Sequence, residues 1–362
     1  MFPPSSRPRN LEASFRDLAS QKSTIRCSSI RDVVRHALLS DGARSRAIPL
    51  LERALRGDEV AAVRAASAVA LADVSAREAL ATLLVAVEDD DAYVREMALA
   101  ALGEIGDSRA AQRLERATRD ERPEIRYQAV IAYVRVVGGD APAVTAALLR
   151  ALEDADDSIR YIAMRLVEER SMAGDPIVDE RVVARAKELV RAADDRVSIV
   201  AALYLARLGR PDAHAIVLDV VAERRQTPEL EDEQACVELV GDLEIREAIP
   251  HLERRVYGTR RALRSMFSWG AGDSASCAWH GRIALARMGH ERARSEILAD
   301  LRSRRRRTRE AAVVAAGRAQ MNEAREAIET LGTVVDAALV REALIRLAAP
   351  ADEELSLKGA DE

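Results

Sequence analysis

A hydrophobic position followed by arginine keeps returning along this chain at nearly constant intervals, and that recurrence restricts the fold more than any other feature. In the stretch from Asp89 to Asp120, acidic residues precede Val94-Arg95, and small or apolar residues follow at Ala98, Leu99, Ala101 and Leu102. Offsets of 4, 5, 7 and 8 residues from Val94 lie on one side of a helix of about 3.6 residues per turn, so one face is buried. Gly103 and Gly106 close the segment, Gly106-Asp107 stops that helix, and Ala110, Ala111, Leu114 and Ala117 mark the apolar stripe of a second one. The place of Val94 is taken elsewhere by Val63, Ile125, Ile159, Val197, Asp232, Cys277, Thr308 and Val340, at spacings of 31, 31, 34, 38, 35, 45, 31 and 32 residues. Periods of this length build solenoids, in which each unit packs only on its neighbours.

The run Val94-Arg95-Glu96-Met97-Ala98-Leu99-Ala100-Ala101-Leu102-Gly103 resembles the HEAT repeat, in particular the short bacterial form named after phycobilisome-lyase subunits, with its pattern D-x-x-V-R-x-x-A-A-x-A-L-G. The resemblance covers roughly residues 45 to 348. It implies an all-α superhelix, right-handed, of about nine two-helix repeats plus an N-terminal helical cap, and it is nearly silent on activity. It also implies that Arg64, Arg95, Arg126 and Arg160, each one residue after its anchor, pair with acids of adjacent units such as Asp58, Asp89 and Asp156. The competing reading makes those arginines an anion-binding ladder. Ser198, Glu233 and Ala278 replace the arginine in the next three units, and it returns as Arg309 and Arg341.

Composition agrees with closely packed helices: 48% of residues are hydrophobic but only 3% aromatic, so Ala, Leu, Val and Ile must fill the core. With 60 acidic against 55 basic residues the net charge is −5, which disfavours a global polyanion-binding field and makes nucleic acid an unpromising partner. Cys27, Cys236 and Cys277 are odd in number and form no C-x-x-C pair, which points to a reducing cytoplasm. No signal or membrane-spanning run is apparent. The five histidines are scattered, no hydrolase or P-loop motif occurs, and His290-Glu291 is the lone His-Glu pair. The expectation is therefore a non-enzyme, without metal or cofactor.

Along the chain, residues 1–10 read as a disordered tail and 11–350 as one array, with an irregular cap over 11–57. The longest spacing holds an insertion over 256–276, with Phe267 and Trp269 beside Gly270 and Gly272. An acidic tail occupies 351–362.

On the helices that carry the Val-Arg pair, offsets of 2 and 6 from the anchor point away from the expected core and line the concave side. There Tyr127, Ile131, Tyr161, Arg165, Ile199, Leu203, Trp279 and Ile283 compose an apolar and aromatic strip that reads as a surface for another protein. The alternative is that neighbouring helices cover it. A second candidate is the run Arg302, Arg304, Arg305, Arg306, Arg307 and Arg309, an anion-binding edge or a solvated face. Together these features describe a monomeric, cytoplasmic scaffold or adaptor. The alternatives are a lyase-like or chaperone-like accessory subunit of a protein-modifying system, or a polyanion binder.

Overall fold

The computed structural model describes residues 9–173, 177–258 and 272–348, and every regular element in them is helical. In chain order the first ten α-helices are α1 (Leu11–Asp17), α2 (Ser23–Ala37), α3 (Asp41–Gly57), α4 (Ala61–Asp73), α5 (Leu80–Ala86), α6 (Ala92–Ile105), α7 (Ala111–Ala117), α8 (Pro123–Val136), α9 (Ala141–Leu152) and α10 (Asp157–Met172). The remaining ten are α11 (Glu180–Leu189), α12 (Asp195–Arg207), α13 (His214–Val221), α14 (Leu230–Asp242), α15 (Ile249–Tyr257), α16 (Gly272–Arg287), α17 (Glu291–Leu301), α18 (Arg306–Arg318), α19 (Arg325–Thr330) and α20 (Ala337–Ala348). The single array expected from the repeat divides into two compact units, one reaching Arg170 and including Ile177–Val182, the other containing Val183 onward.

The anchor-bearing helices stack on one another: α4 on α6 and α6 on α8 in the first unit, α14 on α16 and α18 on α20 in the second. Short intervening helices pack on the next anchor helix, as α5 does on α6, α7 on α8 and α17 on α18. Val94, Ala98, Leu99, Ala101 and Leu102 are all buried, as are Ala110, Leu114 and Ala117. The helix stops at Gly106, as expected, and Gly103 lies inside α6. A Cβ there would sit 2.8 Å from the Cα of Ala132 on α8, so the missing side chain sets how closely two anchor helices approach. Gly241 stands in the same relation to Ala284, and Gly317 to Ala343.

The helix stop lies twelve residues after the anchor, where Ser75, Gly106, Gly209, Glu244, Gly289 and Gln320 all have positive φ. Gly106 occupies this left-handed position as the C-cap of α6, the conformation that reverses the chain most cheaply when no Cβ is present.

The arginine after each anchor ties the turn together. Its Nη1 donates to the carbonyl oxygen six residues earlier: Arg64 to Asp58 (2.9 Å), Arg95 to Asp89 (2.6 Å), Arg126 to Asp120 (2.9 Å) and Arg309 to Ser303 (2.7 Å). Arg64 also forks onto the Asp89 carboxylate at 2.7 and 2.8 Å, and Arg126 onto Asp154 at 2.8 Å twice. These are bidentate bonds between adjacent repeats. The cap contributes a rung as well, since Arg26 reaches Asp58 at 2.7 Å and Ser20 O at 2.8 Å. Arg95 and Arg160 bond within their own turns, Arg160 through the carboxylate of Asp157. At the place where Asp58, Asp89, Asp120 and Asp154 precede earlier anchors, the next repeat has Ala192.

Of the expected N-terminal tail, Arg9 and Asn10 belong to the cap. Arg9 pairs with Asp17 and Asp32 at 3.0 and 2.8 Å, and the Asn10 side chain accepts from Ala13 N. Residues 1–8, most of the insertion with Phe267 and Trp269, and the tail 351–362 lie outside the described residues.

Two outcomes test this account. Gly103→Ala should lower stability by about 1–3 kcal/mol in urea titration despite alanine's better helix propensity. Gly57→Ala, with nothing within 4 Å of the new Cβ, should raise it by about 0.5 kcal/mol. The hydrogen bonds from Arg64 hold the Asp89 carboxyl below the ordinary carboxylate range. Its contribution is therefore complete above the unfolded value and fades as pH falls through the folded one. Asp89→Asn should melt lower than the parent at neutral pH, and thermal scans should show that gap narrowing below about pH 4.

Candidate functional site

The faces of the anchor helices are where the structure departs from the sequence reading. Ile199 and Leu203 are fully buried, and every residue of α12 from Val197 to Ala206 is buried with them. Ile283 is buried too, so the strip is not a continuous exposed surface. Helices drawn together at glycine and alanine shade the sides of each other, and the water-facing arc is narrower than an isolated helix would offer. Tyr127, Ile131, Tyr161 and Trp279 remain half-buried.

Arg165 is the second correction. Its side chain is only 13% exposed and lies within 3.9 Å of Glu168, whose side chain is fully buried. It serves to balance a buried carboxylate.

The ridge that does meet solvent runs through positions one before, six after and ten after the anchor, which share a face at about 100° per residue. It reads Tyr93-Ala100-Glu104 on α6, Glu124-Ile131-Arg135 on α8 and Arg307-Val314-Arg318 on α18, each residue exposed or half-exposed. Tyr93 is 55% exposed. The tenth position carries charge in eight successive repeats, Asp73, Glu104, Arg135, Glu169, Arg207, Asp242, Arg287 and Arg318, a signal that was legible and marks this ridge. Opposite charges there pair across neighbouring repeats: Arg135 with Glu104, and Arg287 with Asp242 at 2.9 Å.

Arg318 follows Arg287 and meets no acid at that position. It reaches past α16 to Glu238 on α14, at 2.6 Å. The same Glu238 oxygen receives His280 Nδ1 at 2.5 Å. Burial pushes the Glu238 carboxyl up, but His280 and Arg318 outweigh that and hold it below the ordinary range. Beside this trio opens a cleft of about 120 Å³ whose lining includes Asp242, Arg287, Arg318 and Arg346. Arg318 also lies over the Trp279 ring, 5.6 Å from its centroid.

The arginine run brackets the start of α18. Arg306 pairs with Glu310 at 2.7 Å, and Arg309 serves its turn. Arg302, Arg304, Arg305 and Arg307 are exposed, and no carboxylate among the described residues pairs with them. Arg304, Arg305 and Arg307 stand at the positive end of the α18 dipole, where cations are disfavoured, whereas Arg302 is the C-cap of α17. Among the described residues no helix is long and apolar enough to cross a membrane, and no group of three or more His, Cys, Asp and Glu is placed to hold a metal.

Residues 48–134 match the family model of HEAT repeats. No curated protein matches the sequence. Among solved structures, the chain is similar to the complex of CpcE and CpcF of phycocyanin lyase from Nostoc sp., at 17% identity over 70% of this chain and 96% of that one, with a TM-score of 0.42. It is similar to YibA of E. coli at 14% identity, covering 78% and 99% of the two chains with a TM-score of 0.46. Importin beta aligns at 12% identity over 93% of this chain and 51% of its own, with a TM-score of 0.49.

Arg165 lies 3.9 Å from the buried Glu168 and 3.6 Å from Glu169. Arg165→Ala should cost about 3 kcal/mol in chemical denaturation, and adding Glu168→Leu should recover most of the loss. Equal stability of Arg165→Ala and the parent would return Arg165 to the surface.

Proposed function

This is a HEAT-repeat protein, and from that premise we propose that it is a non-enzymatic scaffold that binds another protein along the exposed ridges of its anchor helices. It works as a monomer in the cytoplasm. The observation that carries the reading is in the first unit, where Tyr93, Ile131, Tyr127 and Tyr161 are exposed or half-exposed on helices α6, α8 and α10. Tyrosine offers a large contact area at little entropic cost, and rigid helices hold these side chains at fixed intervals. Burial of the neighbouring repeat core beneath them means that binding need not be coupled to folding.

The second unit is less suited to this role on the strip originally expected, because Ile199, Leu203 and Ile283 are part of its core. The partner surface is accordingly assigned to the tyrosines and not to the whole strip.

The test is quantitative affinity capture from the native cell with the parent protein and with Tyr93→Ala/Tyr127→Ala/Tyr161→Ala. Proteins enriched by the parent should drop by about tenfold or more with the triple variant, since anchors of this kind are each worth about 1–4 kcal/mol. The helical signal and melting temperature should stay close to those of the parent. Unchanged capture, or a variant that melts far lower while still capturing the same proteins, would overturn the reading.

A further inference from the structure

Around α18 the second unit carries a local positive excess that the repeat pattern does not explain. At the tenth position acid and base pair between neighbouring repeats, but Arg287 is followed by Arg318. Arg287 takes Asp242, and Arg318 crosses a whole repeat to find Glu238. One edge of the Arg318 guanidinium is thereby used, and a guanidinium has five N–H donors. Its side chain stays 27% exposed at the mouth of the cleft. Arg346 joins the lining from α20, 49% exposed and paired only along its own helix with Glu342.

At the other end of α18 stand the unpaired Arg302, Arg304, Arg305 and Arg307. Arg307 and Arg318 are eleven residues apart, a separation that returns to the same face after three turns. Between them the ridge is half-exposed and apolar at Ala311 and Val314. The helix rise puts the two guanidinium-bearing positions about 16 Å apart, the length of about five extended residues.

We propose that this ridge and the adjoining cleft hold an acidic segment of the protein partner, extended along α18, with carboxylates at both ends and an apolar residue between them. The inference rests on the scaffold reading and names the chemistry of what is bound. Spaced carboxylates fit the surface better than a polyphosphate backbone. The charges lie at the two ends, while Ala311 and Val314 between them offer no counter-charge to phosphates placed at every step. A ligand carboxylate can take the free edge of Arg318 while Glu238 keeps the other, and Arg304, Arg305 and Arg307 gain the counter-charge their helix end lacks.

The probe is a fluorescein-labelled synthetic peptide with acidic pairs flanking two leucines, titrated with the full chain and followed by anisotropy. Controls are the same peptide with lysines for the acids, and a single-stranded DNA of equal charge. Binding of the acidic peptide should weaken as salt rises from about 50 mM. It should fall by about tenfold or more both in Arg304→Glu/Arg305→Glu/Arg307→Glu and in Arg318→Gln. Because Arg318→Gln leaves Glu238 buried without its guanidinium, Arg318→Gln/Glu238→Gln provides a second version with that charge removed, and it should show the same loss. No binding at low salt would overturn the inference, as would DNA bound equally well, or affinity indifferent to Arg318 in both versions. Binding that appears only after deletion of residues 349–362 would assign the surface to the chain's own tail and overturn the partner assignment. If the peptide fails while the tyrosine variants still lose their captured proteins, the scaffold reading stands and this inference alone falls.

Discussion

The contact on which the rest depends is the approach of one anchor helix to the next at a glycine. Gly103 against Ala132, Gly241 against Ala284 and Gly317 against Ala343 all leave less than 3.0 Å for a would-be Cβ. Backbones this close bring alanine, valine and leucine into contact, which explains how a chain with 3% aromatics can fill its interior. The same closeness narrows the exposed face of each helix. It also fixes which positions meet water, and so where a partner can dock.

Packing alone would leave the turns loose, because short intervening helices such as α5 and α7 have seven residues each. The arginine after the anchor satisfies carbonyls at the turn and, in Arg26, Arg64 and Arg126, forks onto an acid of the following repeat. These side chains are mostly shielded, with Arg64 and Arg126 each 16% exposed, so their charges must be matched where they lie. An anion-binding ladder is thereby excluded for them: the guanidinium edges are already occupied. The left-handed residue twelve places after the anchor completes the turn, as glycine at Gly106, Gly209 and Gly289 and at some conformational cost as Ser75, Glu244 and Gln320.

Charge at the tenth position shows how a structural device can become a recognition surface. Where an acid and a base stand in neighbouring repeats, as at Glu104 and Arg135 or Asp242 and Arg287, they neutralise each other. Arg318 follows another arginine, and its displaced pairing with Glu238 leaves a small charged cleft over α16. The arginines at the start of α18 add to that excess at the far end of the same helix.

The sequence by itself determined the helical period, the anchor register, the buried stripe of the Val94 repeat and the pairing of Arg64 and Arg126 between repeats, because these depend on spacing along one chain and on contacts repeated from unit to unit; Arg95 and Arg160, expected to pair likewise, bond within their own turns. It missed the first rung at Arg26, since Ile25-Arg26 lies in the cap, which does not follow the repeat pattern closely. Nor could it show that Gly103 admits the neighbouring helix at Ala132, because a glycine in one dimension carries no mark of what approaches it. Which face stays wet was decided only in three dimensions. Ile199, Leu203 and Ile283 lie at positions that an isolated helix would expose, and only the distance between helices buries them. Arg165 reads as a surface arginine until Glu168 is found buried beside it. The meeting of Glu238, His280 and Arg318 across three helices has no counterpart in local spacing. Such contacts arise from how closely whole helices stack, which no single repeat encodes.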